Sequence, residues 1–388
     1  MSWQSHLSDY AQRLVPSPIR RLATMPRAED TIAFGPGEPD PTLFPVTEVT
    51  QSLERILRDP MLSRRALQYG PSEGEGRLRD LIASYMASKG IKCGREHVLL
   101  TNGSQQALHL ITALVVNRGD VVAVQAPTYP GALEVFVARG ATLRAIDDLG
   151  DARPALIYAM ANFNNPSGVT MTRAERQDLV TLAGRLGSVL VEDDPYEVLR
   201  YEGEASPALL ALDTVARTID ESSAFYLGTF SKSVAPGFRV GWVVGPRAAI
   251  AKLAMMKQTE DLQAGTLAQY CLAELFQPML TGHAETLRGA YRARRNTMVQ
   301  ALSASVGNLA TWTVPQGGFF LWLTLPQGID TAAMLPKAAM NGVTYVPGSA
   351  FFHDGSGAHH LRLSYSAAPL QRIPEGVDRL VKTMRAFA

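Results

Sequence analysis

The chain reads as an α/β protein: a large domain built on a mostly parallel seven-stranded sheet covered by helices, and a smaller α/β domain after it. Three observations carry that reading. Seven short apolar segments rich in β-branched or aromatic residues recur through the middle of the chain. Amphipathic stretches separate most of them, the alternation that builds parallel sheets with helices on both faces. At 388 residues the chain also exceeds the roughly 100–200 expected of a single domain.

In chain order, the first 45 residues carry Pro16, Pro18, Pro36, Pro39, Pro41 and Pro45, which favours an extended arm over residues 1–45. The seven strand segments are 97–100, 121–125, 142–146, 156–160, 189–191, 225–227 and 240–244. Helices are expected between them at 105–116, 131–138 and 173–186. Over 246–276 and 283–305 the pattern turns helical without strand signals, so the large domain is placed at 46–282 and the small one at 283–388. Strands of the small domain are expected at 318–325, 343–346 and 360–364, between Pro and Gly punctuation.

Bulk properties exclude several classes of function. Lys and Arg number 37 against 36 Asp and Glu, a balance with no basic stripe for a nucleic-acid backbone. The charged fraction of 19% is below the roughly 25% of soluble domains, which supports a buried subunit interface. Cys93 and Cys271 stand far apart and outside any CxxC spacing, so they read as free thiols of a reducing compartment. The N-terminus lacks the apolar core of a secretion signal, and no run approaches the roughly 18 apolar residues that cross a bilayer. A cytoplasmic protein with no membrane or nucleic-acid partner is expected. His359 and His360 point to opposite faces of a strand, a poor chelate, and no metal site is expected.

Four segments could carry chemistry. GTFSKSVAPGFR (228–239) packs hydroxyls, glycines, Lys232 and Arg239 behind a strand, and resembles an anion cradle around an amine. Lys232 does not follow a Gly as a nucleotide-binding loop requires, which favours a nucleophilic amine. Taken singly, a solvated loop accounts for the segment equally well. VEDDPY (191–196) sets acids and a Tyr at the carboxyl end of a strand, where sheets of this kind bind ligands. A turn cap explains Asp194 before Pro195 but not Asp193, whose burial would suit a protonated heterocycle nitrogen. ANFNNPSG (161–168) is a turn rich in amides, with Asn165 a candidate donor. TNGSQQ (101–106) leads from strand to helix and offers backbone amides to a phosphate, although Ser104 equally suits an N-cap.

Together and in this order, the four segments resemble the fold-type I pyridoxal-phosphate enzymes, specifically the class I/II aminotransferases. The resemblance extends to LQYGPSEG (67–74), PTY (127–129), PGS (347–349) and LRLSY (361–365), and so spans nearly the whole chain. It is greatest with the subgroup of α-aminoadipate, kynurenine and aromatic aminotransferases. The resemblance implies pyridoxal 5′-phosphate held on Lys232 as a Schiff base, with Asp193 against the pyridinium nitrogen. It implies Asn165 and Tyr196 on the phenolic oxygen, and Tyr129 stacked on the ring. Ser104, Gln105, Thr229, Ser231 and Arg239 would form the phosphate cup, with Tyr69 reaching the phosphate of the other subunit of a homodimer. Arg362 would hold the substrate α-carboxylate, with Asn165, Gly37 and Arg20 also on the substrate side. The arm segment 34–45 resembles a stretch that folds over the substrate side chain, but Pro36 and Glu38 depart from the usual small-Gly-Gly-apolar run. The implied reaction moves an amino group between an α-amino acid and a 2-oxo acid. Two alternatives share the fold: a β-elimination lyase, and the effector-sensing half of a GntR-type regulator, for whose DNA-binding module no room is expected ahead of residue 17.

Overall fold

The structure is a computed structural model that describes residues 3–16 and 25–387. Among the described residues the strands are β1 Ile32–Ala33, β2 Val98–Thr101, β3 Val121–Val124, β4 Thr142–Ala145, β5 Leu156–Ala159, β6 Val189–Asp193 and β7 Ala224–Thr229. They continue with β8 Gly241–Val244, β9 Thr311–Trp312, β10 Phe320–Thr324, β11 Val343–Thr344, β12 Val346–Pro347 and β13 His360–Ser364.

The seven expected segments of the middle region all become strands of one sheet, ordered β2-β8-β7-β6-β5-β3-β4. Strand β8 runs antiparallel to both its neighbours and the remaining pairs are parallel. Side chains alternate across this sheet, as a two-residue period requires. Leu99, Val124, Tyr158, Val191 and Val243 enter one apolar layer, while Leu100, Ala123, Ile157, Leu190 and Tyr226 enter the other. Central strands β5 and β7 are buried along their whole length and the edge strand β4 is not. That is why the central segments read as continuous apolar runs.

The helices between these strands carry their own stop signals. Arg173–Leu186 begins with a capping box of Thr172 and Glu175, and ends at Gly187 with φ 68°. The helical stretch expected over 246–276 is two helices, Arg247–Glu260 and Thr266–Pro278, broken where Leu262 adopts φ 65°. The N-terminal arm is not extended throughout. Asp9–Arg13 forms a short helix, tied down by an ion pair from Arg118 to Asp9 at 2.5 Å and a bond from Arg13 Nε to the Ala138 carbonyl at 3.1 Å.

A second sheet, antiparallel and ordered β12-β13-β10-β9, follows. The single strand expected at 343–346 is split between two partners: β11 lies parallel to β1, whereas β12 pairs with β13. The apolar layer on the Tyr158 face continues through Phe319, just ahead of β10, and Leu321, Leu361 and Leu363 of this second sheet to Leu380 of the last helix. No helix among the described residues is long and apolar enough to cross a membrane.

Because β2, β3, β5, β6 and β7 run alike, their carboxyl ends emerge along one edge. The four chemically suspect segments leave the sheet there, and the second sheet and the arm close over them.

Candidate active site

A cavity of about 270 Å³ opens at that edge. It brings together Gly37, Ser104, Gln105, Tyr129, Asn165, Asp193, Tyr196, Thr229, Ser231, Lys232, Arg239 and Arg362 of the expected site residues. One described residue of that expected set, Tyr69, is not in it. Tyr69 is 76% exposed and borders a separate cavity with Arg64, Arg65 and Tyr270. Arg20 and the segment 17–20 lie outside the described residues.

Strand β6 supplies the acid. Its last residue, Asp193, points to the Tyr158 face of the sheet, where Tyr158 Oη donates to Asp193 Oδ2 at 2.8 Å. The other oxygen, Oδ1, is buried without a partner. Burial with a single donor pushes its pKa up to about 6. The neighbours Glu192 and Asp194 point to the opposite face and meet a different environment. Asp194 is no turn cap: it accepts from Asn162 Nδ2 at 2.9 Å and from Tyr226 Oη at 3.2 Å. Asn162 Oδ1 in turn accepts from Arg176 at 2.7 Å and from Arg200 at 3.0 Å. This buried layer anchors the start of the 161–168 turn and so places Asn165. Burial raises the pKa values of both Glu192 and Asp194.

The amine comes from the turn after β7. Lys232 Nζ donates to the Gly37 carbonyl at 3.1 Å and lies 5.8 Å from the Phe319 ring centroid. Loss of hydration pushes its pKa down to about 8; Glu38 opposes that shift, and Arg362 and Arg239 add to it.

At one end of the cavity donors converge, among them Arg239, whose Nη1 and Nη2 give to the Pro236 and Asn102 carbonyls at 3.3 and 3.4 Å. The helix Ser104–Val115 starts there with its first-turn amides free, and its N-cap is Gly103, so Ser104 is the first helical residue. Thr229 and Ser231 face each other at 3.0 Å between hydroxyls. Gly103 has φ 78°, and a Cβ there would stand 2.6 Å from Arg239 Nη2. The positive φ favours glycine there, and any larger residue would also press on the guanidinium. Gln105 uses its side chain elsewhere, donating to the Gly131 carbonyl at 2.8 Å and accepting from Tyr129 Oη at 3.3 Å, so its backbone amide is what it offers. That link also fixes the Tyr129 ring.

At the other end, Arg362 on β13 is 1% exposed. Nη1 donates to Asn165 Oδ1 at 2.7 Å and Nη2 to the Gly35 carbonyl at 2.5 Å, while Nε is buried without a partner. Its guanidinium lies over the Phe320 ring at 4.1 Å. Burial lowers its pKa to about 10, which leaves it charged at neutral pH. Tyr196 packs edge-on against Phe319 at 5.4 Å and Phe320 at 5.7 Å, and burial pushes its pKa upward.

Sequence reasoning missed Tyr158, Met160, Pro195 and Phe320 as site residues, and noted Glu38 only as a departure. Tyr158 carries no local signal: it shares the Asp193 face only because it pairs in register with Val191, two residues before Asp193.

The site thus sets a desolvated amine between a carboxylate with one unpartnered oxygen, a cluster of hydrogen-bond donors and a buried arginine fork. Comparison with known proteins points the same way. The family described as aminotransferase class I and II matches residues 29–380. The chain is 35% identical to aromatic-amino-acid aminotransferase 1 of Thermococcus litoralis, over 99% of this chain and 95% of that one. It is 34% identical to 2-aminoadipate transaminase of Thermus thermophilus, over 100% and 98% of the two chains. Among solved structures, α-aminoadipate aminotransferase of Thermus thermophilus, complexed with N-(5′-phosphopyridoxyl)-L-leucine, superposes with a TM-score of 0.91 at 33% identity, covering 100% of this chain and 99% of that one. On the fold, the site and these relatives together, the chain belongs to the class I and II aminotransferases, enzymes that work with pyridoxal 5′-phosphate.

Proposed function

We propose that Lys232 is the amine that carries pyridoxal 5′-phosphate, and that amino transfer between an α-amino acid and a 2-oxo acid takes place around it. The observation that carries this reading is Asp193 Oδ1, a buried carboxylate oxygen with no partner in the cavity that holds the lysine. An orphan of this kind is costly unless something completes it, and a protonated ring nitrogen does so. The residues present fit the rest of the cofactor too. Ser104, Gln105, Thr229, Ser231 and Arg239 would hold its phosphate, Tyr129 would lie on its ring, and Asn165 and Tyr196 would reach its phenolic oxygen. When bound, the cofactor supplies the electron-withdrawing ring that stabilises charge at the substrate α-carbon.

The remaining roles belong to the chain. Arg362 binds the α-carboxylate through its unused N–H groups, and its two bonded ones hold the fork still. Lys232 Nζ, in the same cavity, would take the α-proton and hold it for return. A pKa near 8 suits a group that must both accept and give back a proton. Packing of Phe319, Phe320 and Tyr196 limits water around that exchange. Purified protein with cofactor should be yellow, borohydride should fix the cofactor to the peptide containing Lys232, and Lys232→Ala should abolish turnover. A fully active alanine variant refutes the role.

The arm, large domain and small domain are best divided at 1–45, 46–282 and 283–388, in keeping with the two sheets. A homodimer is the working assembly in this reading. Tyr69, at 76% exposure, borders a cavity with Arg64, Arg65 and Tyr270, and in this reading a second copy covers it and Tyr69 would reach that copy's phosphate. Sedimentation should show a dimer, and Tyr69→Ala should weaken cofactor retention. The unpaired Cys93 and Cys271 support a cytoplasmic location.

A further inference from the structure

The roles above leave one charged residue of the cavity over, Glu38. Its backbone is tightly set, while its side chain is exposed. The Gly35 carbonyl accepts from Arg362, the Gly37 carbonyl from Lys232, and the Glu38 carbonyl from Ser366 Oγ at 2.5 Å. Two residues on, the Asp40 N–H donates to Tyr291 Oη at 3.2 Å. Pro36 and Pro39 fix the backbone torsion on either side. Gly37 makes the approach possible, because a Cβ there would stand 2.8 Å from Phe320 Cζ. That same Cβ position is 4.0 Å from Arg362 Nη2. Successive Cα atoms are about 3.8 Å apart. The Glu38 carboxylate therefore rises from a backbone roughly one amino-acid side chain away from the arginine fork.

Among the described residues that carboxylate accepts no hydrogen bond and joins no ion pair. Its electrostatic effect falls on Lys232, the group that the incoming substrate releases. An acid here repels a substrate whose far end is a carboxylate, and gives one with a cationic far end a partner at the right reach. We propose that Glu38 makes this enzyme select amino donors whose side chain ends in a positive charge, an ammonium or a guanidinium, over donors that end in a carboxylate. The inference rests on Arg362 holding the α-carboxylate, as proposed above.

The test uses the holoenzyme with pyruvate as acceptor and compares kcat/KM for lysine, norleucine and 2-aminoadipate, which share six carbons. Lysine should exceed 2-aminoadipate by at least about tenfold, Glu38→Gln should reduce that ratio by about tenfold, and Glu38→Lys should reverse it. A second readout needs no turnover. α-Methylornithine and α-methylglutamate, which have no α-proton, are titrated against the cofactor's absorbance, and the ornithine analogue should bind about tenfold more tightly. Wild-type preference for 2-aminoadipate, a ratio unmoved in Glu38→Gln, or equal affinity for the two analogues overturns the selectivity. A holoenzyme that turns over none of the donors yet binds the analogues in the expected order keeps the selectivity and sinks the catalytic roles instead.

Discussion

Asp193→Asn should stabilise the cofactor-free protein and cripple the loaded one. The carboxyl has a pKa of about 6 in the fold against 3.8 when unfolded, because burial outweighs its one bond from Tyr158. A raised carboxyl pKa contributes stability below 3.8, and that stability is lost as pH rises through 6. The full difference is about 3 kcal/mol, of which about half develops between pH 5 and pH 8. Asn keeps the shape and never ionises. Urea unfolding of cofactor-free protein should therefore show the variant gaining about 1–2 kcal/mol on the wild type when pH goes from 5 to 8, with unchanged m-values. With cofactor bound the sign reverses, since the carboxylate then has a cationic partner, and kcat/KM should fall on the order of 100-fold or more. Identical pH dependence in the two cofactor-free proteins, or wild-type kcat/KM in the variant, refutes the reasoning.

Other outcomes follow from the same geometry. Arg362→Lys keeps a charge but loses the fork, and kcat/KM should drop about 100-fold with most of the loss in KM; an unchanged KM would contradict the carboxylate role. Gly103→Ala forces a Cβ to 2.6 Å from Arg239 Nη2 at φ 78°. Equilibrium dialysis should show the cofactor bound about tenfold more weakly, and undiminished affinity would remove Gly103 from the cup. Lys232 must be unprotonated to combine with added cofactor, so the rate of reconstitution should rise as pH climbs through about 8. Glu38→Gln removes the charge that favours the ammonium, so this limb should move to lower pH; a shift upward would show the electrostatics to be misread.

The parts of the fold legible in the sequence were apolar runs bounded by turn residues, even where, as for Val98 and Val244, the partners stand far apart along the chain. The β5 and β6 runs are each buried on both faces and bounded by turn residues, so their apolar letters sufficed. Val343 to Val346 read as one strand because nothing local reveals that Val343 pairs with Ile32 while Val346 pairs with Arg362. Asp193 stood out as an acid at the end of an apolar strand, whereas the Lys232 segment alone read equally as a solvated loop and Arg362 was legible only through the resemblance. Tyr158 and Phe320 did not stand out, since on a strand an aromatic ring reads as core and only the register between β5 and β6 puts the Tyr158 hydroxyl on Asp193. Asp194 looked like a cap because the turn before Pro195 hides that its side chain is buried against Asn162.

Three acids in a row at the end of β6 meet opposite fates by pleat alone: Asp193 faces the reaction cavity, and Glu192 and Asp194 face the scaffold. A slip of one residue between β5 and β6 would trade them, turning two structural acids toward the reaction and driving the functional one against Arg176 and Asn162. Strand register is thus an electrical specification as well as a packing one. A chain that paired β6 out of step would lose the acid proposed for the ring nitrogen and the Asn165 turn together, so cofactor uptake should itself report that this strand has found its place.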